Sequence, residues 1–233
     1  YNHDRAVADG VNVGYDSFVI KTHITKNGST VESKAWLGYL NKLDRTKRWE
    51  QLEEDFTYQA TQLDRDVMTP SQIRLIIKTF KEKLFTQYFP LRKEVPKTLV
   101  FAKDDNHAEE ITKIIREEFE KGNEFCKKIT YKTTGEKPEE LLSNFRNQYN
   151  PRIAVTVDMI ATGTDIRPLE CILFMRDVRS RTYFEQMLGR GTRVISNSDL
   201  LTVTPDANAK THFIAVDAVG VFETVKIDPQ PTD

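Results

Sequence analysis

Short apolar runs alternate with segments of helical periodicity over the stretch from residue 97 to residue 216. The runs 98–102 and 153–157 are apolar almost throughout, which is typical of strands buried on both faces of a parallel sheet. In the segment 105–119, by contrast, apolar side chains recur every three or four residues. Parallel strands need crossover connections, so the alternation predicts an α/β fold with helices on both faces of a parallel sheet.

The dipeptide Asn27-Gly28 is the strongest short hairpin signal in the chain. It separates two segments rich in β-branched residues, 17–25 and 29–34. The sequence therefore predicts a β-hairpin ahead of the α/β region.

A helix start follows at Thr69 and Pro70, where the threonine is the expected N-cap and the proline the first helical residue. The expected organisation is then a connecting segment with a β-hairpin (1–56), a helical lead-in (57–95), the α/β domain (96–220) and an irregular tail (221–233).

Composition excludes several classes of protein. Lys and Arg total 34 against 35 for Asp and Glu, so any basic surface must be local. Cys126 and Cys171 form no CxxC pair, which favours a reducing cytoplasm, and no apolar run is long enough to span a bilayer. The four histidines lack ligand spacing, so no metal site is predicted. The first residue is Tyr1, which suggests a piece of a longer polypeptide.

The pattern QxxGRxxR, formed by Gln186, Gly189, Arg190 and Arg193, ends a segment of helical periodicity. Residues three and four apart share one face of a helix, so two guanidinium groups would point the same way. Arginine is suited to phosphate because its planar fork matches phosphate oxygens. An ordinary helix end carries the same glycines and arginines without any ligand, and the pattern alone does not decide between the two interpretations.

The residues upstream carry the stronger signal. The segment VTVDMIATGTDI (155–166), followed by VRSRTYFEQMLGRGTR (178–193), resembles motifs V and VI of superfamily-two helicases and translocases. More narrowly, it resembles the R subunit of type I restriction enzymes, the ATP-driven DNA translocase and nuclease subunit. The resemblance is specific over about residues 97–193 and implies that this is the second RecA-like motor domain.

The resemblance also implies roles for individual residues. Asp165 would contact the nucleotide ribose, and Gly163 would give the backbone room to approach. Arg193 would be the arginine finger, with Arg190 bracing the phosphates and Gln186 positioning them. We expect both arginines to be partly exposed, beside the Gly163–Asp165 loop and beyond the carboxyl ends of the strands.

The chain lacks the parts of an ATPase that hold the nucleotide and its metal. No GxxxxGK[ST] pattern is present, so Asp104 or Asp105 is expected to cap a helix rather than bind magnesium. ATP and Mg²⁺ would be held mainly by a preceding motor domain, which the family resemblance implies. We therefore expect this chain alone to be inactive, although the whole would be a type I site-specific deoxyribonuclease.

Double-stranded DNA is the partner that the resemblance implies, together with the preceding motor and nuclease domains and the methylation and specificity subunits. Lys132, Thr133 and Thr134 at a strand end are the candidate backbone contacts, although an ordinary β-to-α turn explains them equally well. Thr156 is a further candidate, but the family's Thr-Asp pair appears here as Val157-Asp158. Two alternatives remain: a non-catalytic helicase-like interaction module, and the C-terminal motor domain of another DNA helicase.

Overall fold

The structure, a computed structural model, describes residues 3–20, 29–31, 36–40, 47–51, 56–58, 69–157, 165–178 and 180–225. The chain divides into two compact units, Tyr1–Ile20 with Thr69–Asp233, and Lys21–Met68. This division differs from the expected connecting segment 1–56, because the first 20 residues belong to the larger unit.

The described helices and strands alternate along most of the larger unit. In chain order the elements are α1 (His3–Ala8), β1 (Gly14–Val19), β2 (Ser29–Val31), β3 (Trp36–Leu40), β4 (Lys47–Gln51), β5 (Phe56–Tyr58), α2 (Pro70–Lys83) with a π-helical turn (Leu84–Tyr88), β6 (Thr98–Phe101), α3 (Asp105–Phe119), β7 (Cys126–Lys128), α4 (Pro138–Asn147), β8 (Ile153–Thr156), β9 (Cys171–Phe174), α5 (Arg181–Gly189), α6 (Asn197–Val203), β10 (His212–Asp217) and α7 (Val221–Thr224).

The larger unit is built on one six-stranded sheet in the order β1-β10-β9-β6-β8-β7. Every pair of neighbouring strands in it is parallel. All residues of β6, β8 and β9 are buried, as their continuous apolar character predicts. The structure thus confirms the predicted α/β fold with a parallel sheet.

Helices lie on both faces of this sheet. The chain moves in one direction across the sheet from β6 to β7, and in the other direction from β7 through β8 and β9 to β10. Because crossovers between parallel strands are right-handed, α3 covers one face while α4 and the helices that follow β9 cover the other. The contacts agree, since α2 packs on α3 and α4 packs on α6.

The start of α2 follows the local rules of helix capping. The Thr69 hydroxyl accepts a hydrogen bond from the amide of Gln72 (3.4 Å), and the Gln72 side chain accepts one from the amide of Thr69 (3.1 Å). Pro70 occupies the first helical position, as predicted.

The smaller unit contains two antiparallel strand pairs, β2 with β5 and β3 with β4. The predicted hairpin between segments 17–25 and 29–34 stays a prediction, because residues 21–28 and 32–34 lie outside the described residues; of the described residues, β1 pairs in parallel with β10 and β2 pairs with β5. The turn Asn27-Gly28 itself lies outside the described residues.

The C-terminal end of the described chain is helical rather than irregular from residue 221. The Asp217 carboxylate accepts hydrogen bonds from the amides of Val219, Gly220 and Phe222, each at 2.9 Å, and so orders the start of α7. Among the helices that the structure describes, none has the length and apolar character to cross a bilayer.

Candidate nucleotide-binding site

The loop Arg190–Arg193 follows directly from α5. This helix begins beyond the carboxyl end of β9, where the Ser180 hydroxyl accepts a hydrogen bond from the amide of Tyr183 (3.3 Å). Arg190 keeps helical backbone angles as the C-cap, whereas Arg193 lies in extended backbone and forms an isolated bridge with Asn12. The two arginines of the motif therefore do not belong to one helical face.

The loop lies at the amino ends of the parallel strands. The amide of Val13, just before β1, donates to the carbonyl of Thr192 (2.7 Å), and Lys210, just before β10, donates to the carbonyl of Arg193 (3.0 Å). We expected these arginines beyond the carboxyl ends of the strands, and this expectation is wrong. The reason is that a helix after a parallel strand runs back across the sheet, so the end of α5 returns to the opposite edge.

Asp165 contacts Arg193 at this edge. The Arg193 Nε and the Asp165 Oδ2 lie 3.5 Å apart, and 43% of each side chain is exposed. Asp165 has reached the amino edge because the chain must cross from the end of β8 to the start of β9. The amide of the next residue, Ile166, donates to the carbonyl of Arg190 (3.2 Å). Partial exposure of Arg193 agrees with the expectation for an arginine that awaits a ligand.

The other predicted nucleotide contacts are placed less favourably or lie outside the described residues. Arg190 is half-buried, and Gln186 is exposed on α5. Gly163 falls within 158–164, outside the described residues. The structure thus brings together Asp165, Arg190 and Arg193, and leaves the role of Gly163 as a prediction.

An open cleft adjoins the Asp165 side chain. Its volume is about 540 Å³, and it lies between the ends of α4 and α6. Cationic and anionic side chains line it, together with polar and apolar ones: Arg146, Asn147, Asp165, Arg167, Pro168, Ile195, Asp199, Thr202 and Val203. A cleft of this size and polarity can take part of a nucleotide beside the Arg193–Asp165 pair.

The two glycines that flank Arg190 differ in their surroundings. A Cβ atom on Gly191 would lie 2.1 Å from Cε2 of Phe213, whose ring is fully buried in β10. A Cβ atom on Gly189 would meet nothing within 4 Å. Close packing against Phe213 of the sheet therefore explains why residue 191 is a glycine. It does not explain the glycine at position 189.

The predicted DNA contacts lie at the opposite, carboxyl edge. Lys132 and Thr134 are exposed after β7. The Thr133 hydroxyl is used within the turn, where it donates to the carbonyl of Lys128 (3.3 Å) and accepts from the amide of Thr130 (3.0 Å). Thr156 is fully buried, so the structure does not support its predicted contact with DNA.

The acidic residues after β6 serve the fold. The Asp104 carboxylate is the N-cap of α3 and accepts from the amide of His107 (2.9 Å), whereas Asp105 accepts from the Thr130 hydroxyl (2.5 Å) and pairs with Lys128 (3.2 Å). Lys128 and this hydroxyl hold the pKa of Asp105 below its usual value, against the effect of burial. No group of three or more potential metal ligands occurs in the described ranges.

Sequence reasoning missed three buried basic side chains near the amino edge. Lys97 donates to the carbonyls of Gln148 (2.6 Å) and Pro151 (2.7 Å), and burial lowers its pKa to about 6. Arg152 is 1% exposed and donates to three carbonyls and to the Thr204 hydroxyl. Burial lowers the pKa of Lys210 to about 7. An isolated cation has no spacing pattern, so no sequence signal identifies these residues.

Sequence comparison finds known proteins that are similar to this chain. Residues 81–194 match the helicase conserved C-terminal domain. The chain is 28% identical over 242 residues to the EcoKI endonuclease subunit of a type I restriction enzyme from Escherichia coli, which covers 97% of this chain and 18% of that protein. It is 25% identical over 185 residues to the EcoAI endonuclease subunit, also from Escherichia coli, which covers 77% of this chain and 22% of that protein.

A solved structure supports the fold. It is described as a fragment of an HsdR subunit of a type I restriction enzyme from Vibrio vulnificus, and it matches with a TM-score of 0.57 and 20% identity over 97% of this chain and 36% of its own. The present chain spans about a fifth of the length of the two curated relatives, 18% and 22%. Residues 81–194 are thus similar to the helicase conserved C-terminal domain, and the chain is similar to the endonuclease subunits of type I restriction enzymes.

Proposed function

We propose that this chain is the second motor domain of an ATP-dependent double-stranded DNA translocase, the R subunit of a type I restriction endonuclease. The observation that carries the proposal is the half-exposed Arg193–Asp165 pair beside an open cleft. A cation and an acid so placed offer one group for the phosphates and one for the ribose hydroxyls of the same nucleotide. ATP and Mg²⁺ are held mainly by a first motor domain elsewhere in the polypeptide.

Arg193 acts in this proposal as the arginine finger. Charge spreads over the oxygens of the transferred phosphoryl group in the transition state, and a guanidinium placed there contributes about 10³–10⁵ in rate. The Arg193 Nε lies 3.5 Å from the Asp165 carboxylate. An exposed ion pair of this kind contributes only about 0–1 kcal/mol, so phosphate can displace the carboxylate at little cost.

Duplex DNA meets the opposite edge of the sheet. The proposal retains Lys132 and Thr134 as backbone contacts, because both side chains are exposed there. Contacts of this kind position the motor without selecting a sequence. Recognition would come from a specificity subunit, in a cytoplasmic complex that also contains methylation subunits and the nuclease domain.

Hydrolysis of ATP by the complete polypeptide tests the proposal. The wild type should hydrolyse ATP faster when duplex DNA is added, and Arg193→Ala should lower that rate by about 10³-fold or more while ATP binding changes little. The control is Arg181→Ala, which removes an arginine that is 69% exposed and paired with Glu185 at the start of α5. Equal rates of DNA-stimulated ATP hydrolysis for the wild type and Arg193→Ala would reject the role of Arg193 as the arginine finger.

A non-catalytic helicase-like module is the alternative from another class. It predicts no DNA-stimulated ATP hydrolysis by the complete polypeptide, whichever arginine is present. A motor domain of another DNA helicase predicts hydrolysis without assembly into a restriction complex, which co-purification with methylation and specificity subunits would test.

A further inference from the structure

The backbone of the loop Arg190–Arg193 is held at each of its four carbonyl groups. The carbonyl of Arg190 accepts from the amide of Ile166 (3.2 Å), and that of Thr192 accepts from the amide of Val13 (2.7 Å). The remaining two carbonyls, of Gly191 and Arg193, both accept from one side chain, the ammonium of Lys210.

Lys210 also reaches the segment that carries Asp165. Its Nζ donates to the carbonyl of Arg167 at 2.7 Å, in addition to the carbonyls of Gly191 and Arg193. An ammonium has three N–H donors, and here three carbonyls from two segments use them. Only 8% of the Lys210 residue is exposed, so solvent cannot readily replace these bonds. The Lys210 side chain therefore joins the Arg190–Arg193 loop to the segment 165–167.

We propose that Lys210 is a positioning residue for ATP hydrolysis, which fixes the backbone of the Arg190–Arg193 loop against the 165–167 segment so that Arg193 and Asp165 face one nucleotide. The inference rests on the proposed function. Lys210 is buried, and its side chain donates to backbone carbonyls of the loop and of the 165–167 segment. It acts through the carbonyl of Arg193, because a backbone that shifts there carries the guanidinium with it.

The packing of Gly191 supports the same conclusion. The Gly191 backbone packs against the Phe213 ring and leaves no room for a Cβ atom, so the loop packs directly on β10. The Lys210 Nζ lies 5.9 Å from the centre of the same ring. Close backbone packing and a buried ammonium on one short stretch of chain both act to hold the loop in one position.

The test replaces Lys210 by methionine in the complete polypeptide. Misplacement of a reacting group by about 1 Å costs roughly 100-fold in rate. We expect Lys210→Met to lower kcat for DNA-stimulated ATP hydrolysis by about 10- to 100-fold, while KM for ATP changes by less than about threefold. Primary alkylamines should partly restore kcat in Lys210→Ala, since they can supply the missing ammonium.

Lys97→Met is the matched control. Lys97 is also a buried lysine, and it lies just before strand β6. Its side chain donates to the carbonyls of Gln148 and Pro151, which lie outside the Arg190–Arg193 loop. This variant should lose stability with kcat kept within about twofold. A kcat loss in Lys210→Met no larger than in a Lys97→Met variant of equal stability would overturn the inference.

Hydrogen exchange gives a readout that does not depend on activity. The amides of Val13 and Ile166 donate to the loop carbonyls, so Lys210→Met should speed their exchange while Lys97→Met should not. Unchanged exchange in Lys210→Met would contradict the inference. If Lys210→Met does not fold, Lys210→Gln, which keeps two donors, is measured in the same way and must show the same kcat and exchange effects.

The two proposals fail in different ways. Absence of ATP hydrolysis in the wild type rejects the proposed function. Hydrolysis that Arg193→Ala abolishes and Lys210→Met leaves intact rejects only the role of Lys210.

Discussion

Asp165 pairs with Arg193 across 3.5 Å, and 43% of each side chain remains exposed. Both groups are available to a ligand, because an exposed pair is held by only about 0–1 kcal/mol. The pair lies at the amino ends of the strands, where the end of α5 and the segment before β9 come together.

Asp165→Ala should raise KM for ATP in the complete polypeptide by about tenfold or more and leave kcat nearly unchanged. A hydrogen bond from a ribose hydroxyl to a carboxylate contributes about 1.5–3 kcal/mol, and it is made equally in the ground and transition states. The control is Glu139→Ala, which removes an exposed acid in the first turn of α4 that does not line the cleft. Steady-state kinetics at varied ATP decide, and an unchanged KM would remove Asp165 from the ribose role.

The two glycines beside Arg190 should respond in opposite ways to alanine. Gly191→Ala should destabilise the fold by about 1–3 kcal/mol, because the new Cβ would overlap the Phe213 ring. Gly189→Ala should stabilise it by up to about 1 kcal/mol, since Gly189 is the last residue of α5 and has open space around it. Denaturant unfolding measures both changes. Replacing the Phe213 ring by the smaller side chain of leucine in Gly191→Ala/Phe213→Leu should relieve the overlap and restore part of the loss.

Lys132→Ala should weaken DNA binding equally for unrelated duplexes and lower the slope of log K against log salt by about one. Lys132 is exposed at the carboxyl edge after β7. Lys121, equally exposed, follows the end of α3 and so lies at the opposite edge, which makes Lys121→Ala the control. Titrations at several salt concentrations are needed. Equal slopes for the two variants would exclude the carboxyl edge as the DNA surface.

Acid should destabilise the fold partly through His107. The Nδ1 of this buried ring accepts from the amide of Lys103 (3.1 Å), and burial lowers its pKa to about 4. In the unfolded state His107 has a pKa near 6.5, so as the pH falls it is protonated there before it is protonated in the folded state. The contribution of His107 to the free energy of unfolding is therefore fully present above about pH 6.5 and is lost as the pH drops towards about 4.

The measurement compares the wild type with His107→Asn, whose side-chain oxygen can still accept from Lys103. Between pH about 7 and about 4.5, the wild type should lose about 2 kcal/mol more of its free energy of unfolding than the variant. Asp105 and Asp206, whose pKa values are also lowered, contribute equally to both proteins and cancel. Parallel loss in the two proteins would contradict the assignment to His107.

The chain by itself should show no ATP turnover, because it contains no GxxxxGK[ST] loop to cradle phosphates. A single-turnover assay with stoichiometric ATP checks this, with the complete polypeptide as the positive control. Turnover by the isolated chain that Arg193→Ala abolishes would show that no second domain is needed.

The sequence by itself determined the features that depend on neighbouring residues. Continuous apolar runs specified the buried strands β6, β8 and β9, and the Thr69-Pro70 pair specified the start of α2. The resemblance of the segment that ends in QxxGRxxR to motif VI indicated Arg190 and Arg193 as candidate site residues. These signals are local, because periodicity and capping are properties of a few consecutive residues.

Only the tertiary structure decided which distant segments meet. It placed β1 beside β10, and it brought the end of α5 to the amino edge, where Arg193 lies beside Asn12 and Asp165. It also buried Lys210 against the Arg190–Arg193 loop. Strand partners and buried cations depend on how the whole chain packs, and the free energy of those contacts is shared between residues far apart in sequence.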